Sequence, residues 1–325
     1  MELLINIIET ENIILLSLFL AGGLYALLKG GDALINGAAS LSFSYKIDPF
    51  AIGLTVVAFG TSLPEFFVSF ISNLTGKGDI GIGNILGSNV ANIALVLGIS
   101  AVLTPVIMEK MTMRVDLPIT IFVSAVFYMF MFDGDITRIN GFVLVLMFVT
   151  YIYYVYRRAK STKNKLIFEE IEAHNSRMKD VFLILGGIAG LYLGSDLTIR
   201  GASGIAFALG AGELAIGLTI VSIGTSLPEL AASISAFRTD NAEIGVGNII
   251  GSNVFNVLFV LGISSTVKPF SVNPDNITYW GPAMLFVTVM LFMLGRKTNR
   301  LSKKSGILLL TIYFIYLIMT FVLKS

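Results

Sequence analysis

The sequence predicts an all-α polytopic membrane protein, with ten transmembrane helices arranged as two inverted five-helix repeats. Three observations lead there. The 325 residues are 55% hydrophobic and 13% charged, with mean hydropathy +0.85, whereas soluble domains carry about a quarter charged residues. Apolar runs long enough to cross a bilayer alternate with short polar connections. A shift of 164 residues aligns Ala51–Gly98 with Ala215–Gly262 without a gap, 27 of 48 positions being identical.

The composition also excludes several classes of chemistry. There is no cysteine, hence no disulfide, thiolate metal site or cysteine nucleophile. The single histidine, His174, lies in the most polar stretch, which argues against histidine catalysis and a histidine metal cluster. A net charge of +1 gives no reason to expect nucleic acid. Glu2, Glu9 and Glu11, with no early Lys or Arg, differ from the basic start of a signal peptide, so the first apolar segment reads as retained. No cofactor, no enzymatic activity and no obligatory protein partner are expected beyond the lipid bilayer itself.

In chain order the predicted spans are 12–40, 49–74, 80–104, 114–132 and 139–157, then 180–208, 213–237, 243–266, 277–295 and 305–323. The first and sixth exceed the ~20 residues a bilayer requires, so they tilt or protrude. Residues 1–157 form the first five-helix repeat, 158–179 a linker and 180–325 the second repeat. Connections and ends on the N-terminal side carry Lys77, Arg138, Lys268 and Lys324, four basic residues against sixteen on the other side. The positive-inside rule then puts the protein in the cell membrane with both termini extracellular and the 158–179 loop cytoplasmic. Five spans per half force the second half to enter from the opposite face, the architecture of many secondary transporters.

The chemistry concentrates in Gly60-Thr61-Ser62-Leu63-Pro64-Glu65 and its repeat, Gly224-Thr225-Ser226-Leu227-Pro228-Glu229. Pro64 has no N–H, so the Gly60 carbonyl loses its helical partner and the turn opens. Freed carbonyls at membrane depth must be satisfied by protein, water or ions. Thr61 and Ser62 lie four and three residues before Glu65, so all three can share one face. Carboxylate, hydroxyl and carbonyl oxygens suit Ca2+ and Na+ better than softer transition metals. In the third span Asn84, Ser88 and Asn92 form a stripe spaced by four, repeated as Asn248, Ser252 and Asn256. Ser88, Ser252, Asn92 and Asn256 read as site residues; Asn84, Asn248, Asn89 and Asn253 read as bonds between helices. Lys29 and Arg200 lie inside predicted spans, and neither repeats in the other half, so the glutamates have no repeated basic partner. Two carboxylates balance one Ca2+, or two or more Na+ or protons. Competition for one charged pocket is a physical basis for exchange. Asp32 and Asp196 read as helix anchors or vestibule ligands, anchors being favoured.

The doubled motif, each copy followed by Gly-Asn-Ile-(Leu/Ile)-Gly-Ser-Asn-Val-x-Asn, resembles the α-repeats of sodium/calcium exchangers in the cation/calcium antiporter superfamily. The resemblance covers both repeats and the ten-span layout, and is similar to compact prokaryotic members. It implies alternating access, with Ca2+ and Na+ competing and the first and sixth spans sliding across the rest. Under it Glu65 and Glu229 are the shared central carboxylates. Thr61 and Thr225 lend carbonyl oxygens, and Ser62, Ser226, Ser88 and Ser252 are flanking sodium ligands. Ala58 is a carbonyl donor whose counterpart is Ser222, and Asn92 and Asn256 are a midplane polar pair. Asn256 stands where some members carry Asp, leaving two central carboxylates and arguing against potassium dependence. Ca2+/H+ exchange is the alternative coupling; a passive channel and an intramembrane enzyme rank below it.

Overall fold

Prolines, glycines and short polar turns divide this apolar chain into helices that a mostly apolar surface surrounds. The structure, a computed structural model, describes residues 13–162, 177–209 and 222–324. His174, most of the central linker and the start of the seventh predicted span lie outside the described residues. The helices are α1 (Ile13–Tyr45), α2 (Pro49–Thr61), α3 (Leu63–Leu74), α4 (Gly78–Leu103), α5 (Thr112–Met131) and α6 (Arg138–Thr162). The second half contains α7 (Arg177–Ala208), a single turn at Ser222–Gly224, and α8 (Leu227–Arg238). It continues through α9 (Ala242–Val267), α10 (Asn276–Gly295) and α11 (Lys303–Lys324). Eight helices are long and apolar enough to cross a membrane, and the bent pair α2–α3 makes nine among the described residues. The chain is thus a polytopic all-α membrane protein. Helices α6 and α7 outrun the predicted limits of the fifth and sixth spans, so part of the expected linker is helix.

The break within the second span falls at Ser62, where α2 and α3 meet at 48°. Ser62 leaves the helical region (φ −86°, ψ 6°), and Pro64 takes an early position in α3 where its missing N–H costs nothing. Ser226 repeats this conformation before α8 (φ −88°, ψ 4°).

The centre belongs to α4 and α9, buried along most of their length. Glycine permits the approach of α2 to α9: a Cβ on Gly247 would stand 2.5 Å from the Phe50 carbonyl oxygen. Wider π-type turns interrupt both central helices at Ala91–Val96 and Asn256–Leu261, carrying Asn92 and Asn256. Such turns often occur at functional sites.

Along one side α1 and α7 run antiparallel with interlocked glycines. Gly23, Gly30 and Gly37 are spaced by seven, as are Gly187, Gly194 and Gly201. A Cβ on Gly187 would stand 2.5 Å from Leu34 N and 2.8 Å from Gly30 O; one on Gly194, 2.7 Å from Leu27 N; one on Gly201, 2.5 Å from Leu20 N. The backbones therefore touch, as small residues allow in membranes.

Two small antiparallel pairs tie the loops at each end. β1 (Val106–Ile107) pairs with β4 (Arg300–Leu301), and β2 (Asp135–Ile136) with β3 (Phe270–Ser271). Beside the first pair lies an ion cluster centred on Arg158, a residue that the sequence reading assigned to the linker. Arg158, buried one residue past the expected end of the fifth span, faces Asp48 (3.7 Å), Glu109 (3.2 Å) and Asp116 (2.5 Å), with its guanidinium over the Phe50 ring. Burial pushes the carboxyls of Asp48 and Glu109 above their ordinary range, against the pull of Arg158. Replacing Arg158 by Met leaves these carboxylates crowded and without their cation. The expected cost is about 3–5 kcal/mol, read as a lower melting temperature in detergent, with Arg158→Lys intermediate. An unchanged melting temperature would show that the cluster does not hold the helix ends together.

Candidate ion site

The two motif copies converge at the centre, and the first copy lends its hydroxyls to the second half. Glu65 and Glu229 are fully buried and are electrostatic neighbours. Ser62 Oγ donates to Glu229 Oε1 at 3.1 Å, across the two halves, and Ser252 Oγ lies 3.5 Å from the same oxygen. Ser88 Oγ lies 3.5 Å from Glu65 Oε1. Thr61 Oγ1 donates to Asn248 Oδ1 at 3.1 Å. At the break between α2 and α3, Ser62 thus serves Glu229 of the other half and not Glu65 of its own motif.

Each glutamate keeps its other oxygen, Oε2, buried with no hydrogen-bond partner. Around them Asn92 has neither side-chain atom bonded, and Asn256 Oδ1 and Ser226 Oγ are likewise buried and unpartnered. Several orphaned oxygens at one buried centre are costly unless a ligand satisfies them. Neither glutamate has a basic partner among the described residues; Arg200 pairs with Asp196 instead, at 2.7 Å. Among the described residues no group of three or more His, Cys, Asp or Glu side chains could hold a metal ion. A cation here would meet two carboxylates and otherwise neutral oxygens.

The remaining predicted residues occupy the rim. Ala58 is fully buried, but its carbonyl already accepts from Ser62 N (3.0 Å) and faces Thr61 Oγ1 (3.4 Å). Thr225 is half-buried in the second copy, and the Ser222 side chain lies outside the described residues. Asn84 donates to Ser69 Oγ (3.0 Å) and Glu65 O (3.3 Å), and Asn248 to Ser233 Oγ (3.1 Å). These amides join helices, as their reading from the sequence anticipates. Asn89 likewise joins helices, as read from the sequence, and its Oδ1 accepts from Asn256 Nδ2 at 3.1 Å, which aims that amide. Phe59, Phe66, Phe148, Phe255 and Phe259 stack beside the motif with centroids 4.5–6.2 Å apart.

The α1–α7 pair covers the site unequally. Gly31 of α1 packs on Ala231 of α8, and Asp32 Oδ1 accepts from Ser235 Oγ at 2.7 Å. Ala231, Ala232 and Ser235 are thus buried (9%, 0% and 3% exposed), whereas their 164-shifted mates on α3, Phe67, Val68 and Ile71, are 52%, 36% and 54% exposed. The α1–α7 pair thus covers this face of α8 and leaves the equivalent face of α3 uncovered.

Known proteins match this chain along nearly its whole length. The family described as sodium/calcium exchanger protein matches residues 15–157 and 179–322. The inner membrane protein YrbG of Escherichia coli is 32% identical over 92% of this chain and 94% of its own. The sodium/calcium exchanger MaX1 of Methanosarcina acetivorans is 28% identical over 96% and 99%. A solved structure of the sodium-calcium exchanger NCX_Mj, soaked with Na+ and Sr2+, superimposes with a TM-score of 0.81 at 30% identity, covering 93% of this chain and 97% of that one. With two matched segments spanning both halves and a solved relative of the same fold, the chain belongs to the sodium/calcium exchanger family of membrane transporters and is a cation/calcium antiporter.

Proposed function

We propose that this protein exchanges Ca2+ for Na+ across the cell membrane by alternating access at a two-glutamate site. The observation that carries the reading is the pair of buried Oε2 atoms on Glu65 and Glu229, beside Asn92, Asn256 Oδ1 and Ser226 Oγ, all without protein partners. One Ca2+ neutralises both carboxylates; two or more Na+ do so in its place, with Ser62, Ser88 and Ser252 hydroxyls and the Ala58, Thr61 and Thr225 carbonyls as further oxygens and Ser222 at the rim. Hard cations of this kind take such ligands. An empty pair of buried charges is expensive, which disfavours return without a counter-ion.

Ten spans in two inverted repeats, 1–157 and 180–325, accommodate this scheme. The matched elements support it: α3 and α8 are the same length and offset by 164, as are α5 and α10. With both termini outside, the covered α8 lies in the cytoplasmic half of the membrane, and the uncovered α3 in the outer half. The chain lacks cysteine, so single reporters can be introduced directly. Ile71→Cys should react with a membrane-impermeant thiol reagent added from outside, and its repeat-mate Ser235→Cys should resist it. Equal labelling of the two would refute one-sided cover.

The deciding experiment is uptake of radiolabelled Ca2+ into proteoliposomes loaded with Na+. Flux should require the opposing Na+ gradient and carry net charge. Equal uptake without Na+ would overturn sodium coupling, and uptake driven by a pH gradient in sodium-free medium would establish Ca2+/H+ exchange instead.

A further inference from the structure

We propose that Lys110, Arg114 and Arg296 form a binding site for the phosphate headgroup of an anionic phospholipid. The site is a cavity of about 210 Å³ at one end of α5 and α10, lined by these three residues with Met113, Phe292 and Asn299. It is built by secondary structure. The β1–β4 pair brings the two loops together, Met108 N donates to Asn299 O at 2.8 Å, and Asn299 takes a left-handed conformation (φ 50°) as its N–H bonds Gly295 O. The three cations are thereby gathered from two separate connections.

None of the three sits in an ion pair among the described residues. The neighbouring carboxylates Glu109 and Asp116 turn instead to Arg158. Arg114 and Asp116, two apart on the wide π-type turn Thr112–Asp116, lie on roughly opposite sides of the helix. The cavity is also layered in the sense an amphiphile needs. Gly295 and Thr112 end the apolar spans, so Arg296 and Lys110 lie just outside them, while Met113 and Phe292 supply an apolar wall at and below that level. Phosphate groups of a bilayer lie at this depth, and guanidinium groups bind them through paired N–H donors. A soluble anion would have no use for the apolar wall.

The fold does not require these charges. The β2–β3 pair at the other end of the molecule is the 164-shifted equivalent, and there Lys110, Arg114 and Arg296 are matched by Pro274, Thr278 and Phe132. Lys297 is matched by Asp133, and past a one-residue difference in the turn Arg300 is matched by Asp135. The same framework is cationic at one end and acidic at the other, so the cations are a property of this end.

The test is thermal-shift titration of the purified full chain in neutral detergent with short-chain phosphatidylglycerol, phosphatidylcholine or inorganic phosphate. Phosphatidylglycerol should raise the melting temperature at concentrations where the other two do not. The variant K110Q/R114Q/R296Q should weaken that midpoint by about a hundredfold, roughly fivefold per cation. The variant K297Q/R300Q/K303Q, with equal charge loss outside the cavity, should move it far less. A charge-keeping K110R/R114K/R296K chain retains binding and answers the question if the neutral triple folds poorly; its failure to bind would overturn the proposal. Equal weakening by both neutral triples would reduce the effect to a diffuse field. Equal protection by phosphatidylcholine or by phosphate would exclude an anionic lipid site. Because the readout is lipid binding and not flux, it stands apart from the ion-exchange reading.

Discussion

Glu65→Gln and Glu229→Gln should each reduce Ca2+ exchange to the background of empty liposomes. Both carboxylates are fully buried, and neither has a cationic partner among the described residues. Removing one leaves a desolvated divalent ion facing a single charge. Losing one partner of a buried charge pair costs about 3–5 kcal/mol, roughly two to nearly four orders of magnitude in affinity. Gln keeps the shape of Glu and its serine contacts, so the fold should survive. The ion-free variant should melt no lower than the parent and even higher, since a buried charge has been removed from an empty centre. Added Ca2+ should raise the melting temperature of the parent and not of either variant. Near-normal Ca2+ flux in either variant would sink the site assignment, because no third carboxylate among the described residues is at hand to replace the lost one.

A second large effect is expected from a single methyl group on α7. Gly187→Ala places a Cβ 2.5 Å from Leu34 N and 2.8 Å from Gly30 O, backbone atoms that cannot swing aside. The α1–α7 pair must separate or shift, and overpacking of this kind costs about 1–3 kcal/mol. Gly186→Ala, one residue earlier, meets nothing within 4 Å. It should be neutral or slightly stabilising, because Ala favours a helix over Gly by about 1 kcal/mol. The comparison holds chemistry and depth nearly constant and changes only the neighbour. Gly187→Ala should lower both melting temperature and Ca2+ exchange while Gly186→Ala keeps them. If the two behave alike, the interlocked glycines are not what joins these helices.

Much of this arrangement is legible in the chain because the repeat doubles every signal. Pro64 and Pro228 announce two broken spans, and the break at Ser62 is where the first one bends. The asparagine and serine stripes on the third and eighth spans are visible as a spacing of four, and α4 and α9 do run through the centre. What the spacing cannot carry is which half a hydroxyl serves. Ser62 looks like a ligand of its own Glu65, yet the kink turns it to Glu229. Arg158 looks like one more loop charge, because its three carboxylates come from connections and a helix start far away in sequence. The unequal cover of α8 and α3 was illegible for a different reason. Ala231 and Phe67 occupy equivalent positions, and only the placement of α1 and α7 decides which of them meets a neighbour.

The interlocked pair of α1 and α7 sets a limit on how the two gates can work. Its glycines recur every seven residues, about 10.5 Å along a helix, so one helix cannot creep along the other by a small step and find a new fit. The pair is a single bar that can be shifted only as a whole. Lifting it from α8 and lowering it toward α3 are then one event seen from two sides. Under the exchange mechanism proposed above, two open gates at once would require unlacing the bar itself, so the pair would act as a mechanical interlock laid against the motif glycines Gly60 and Gly224.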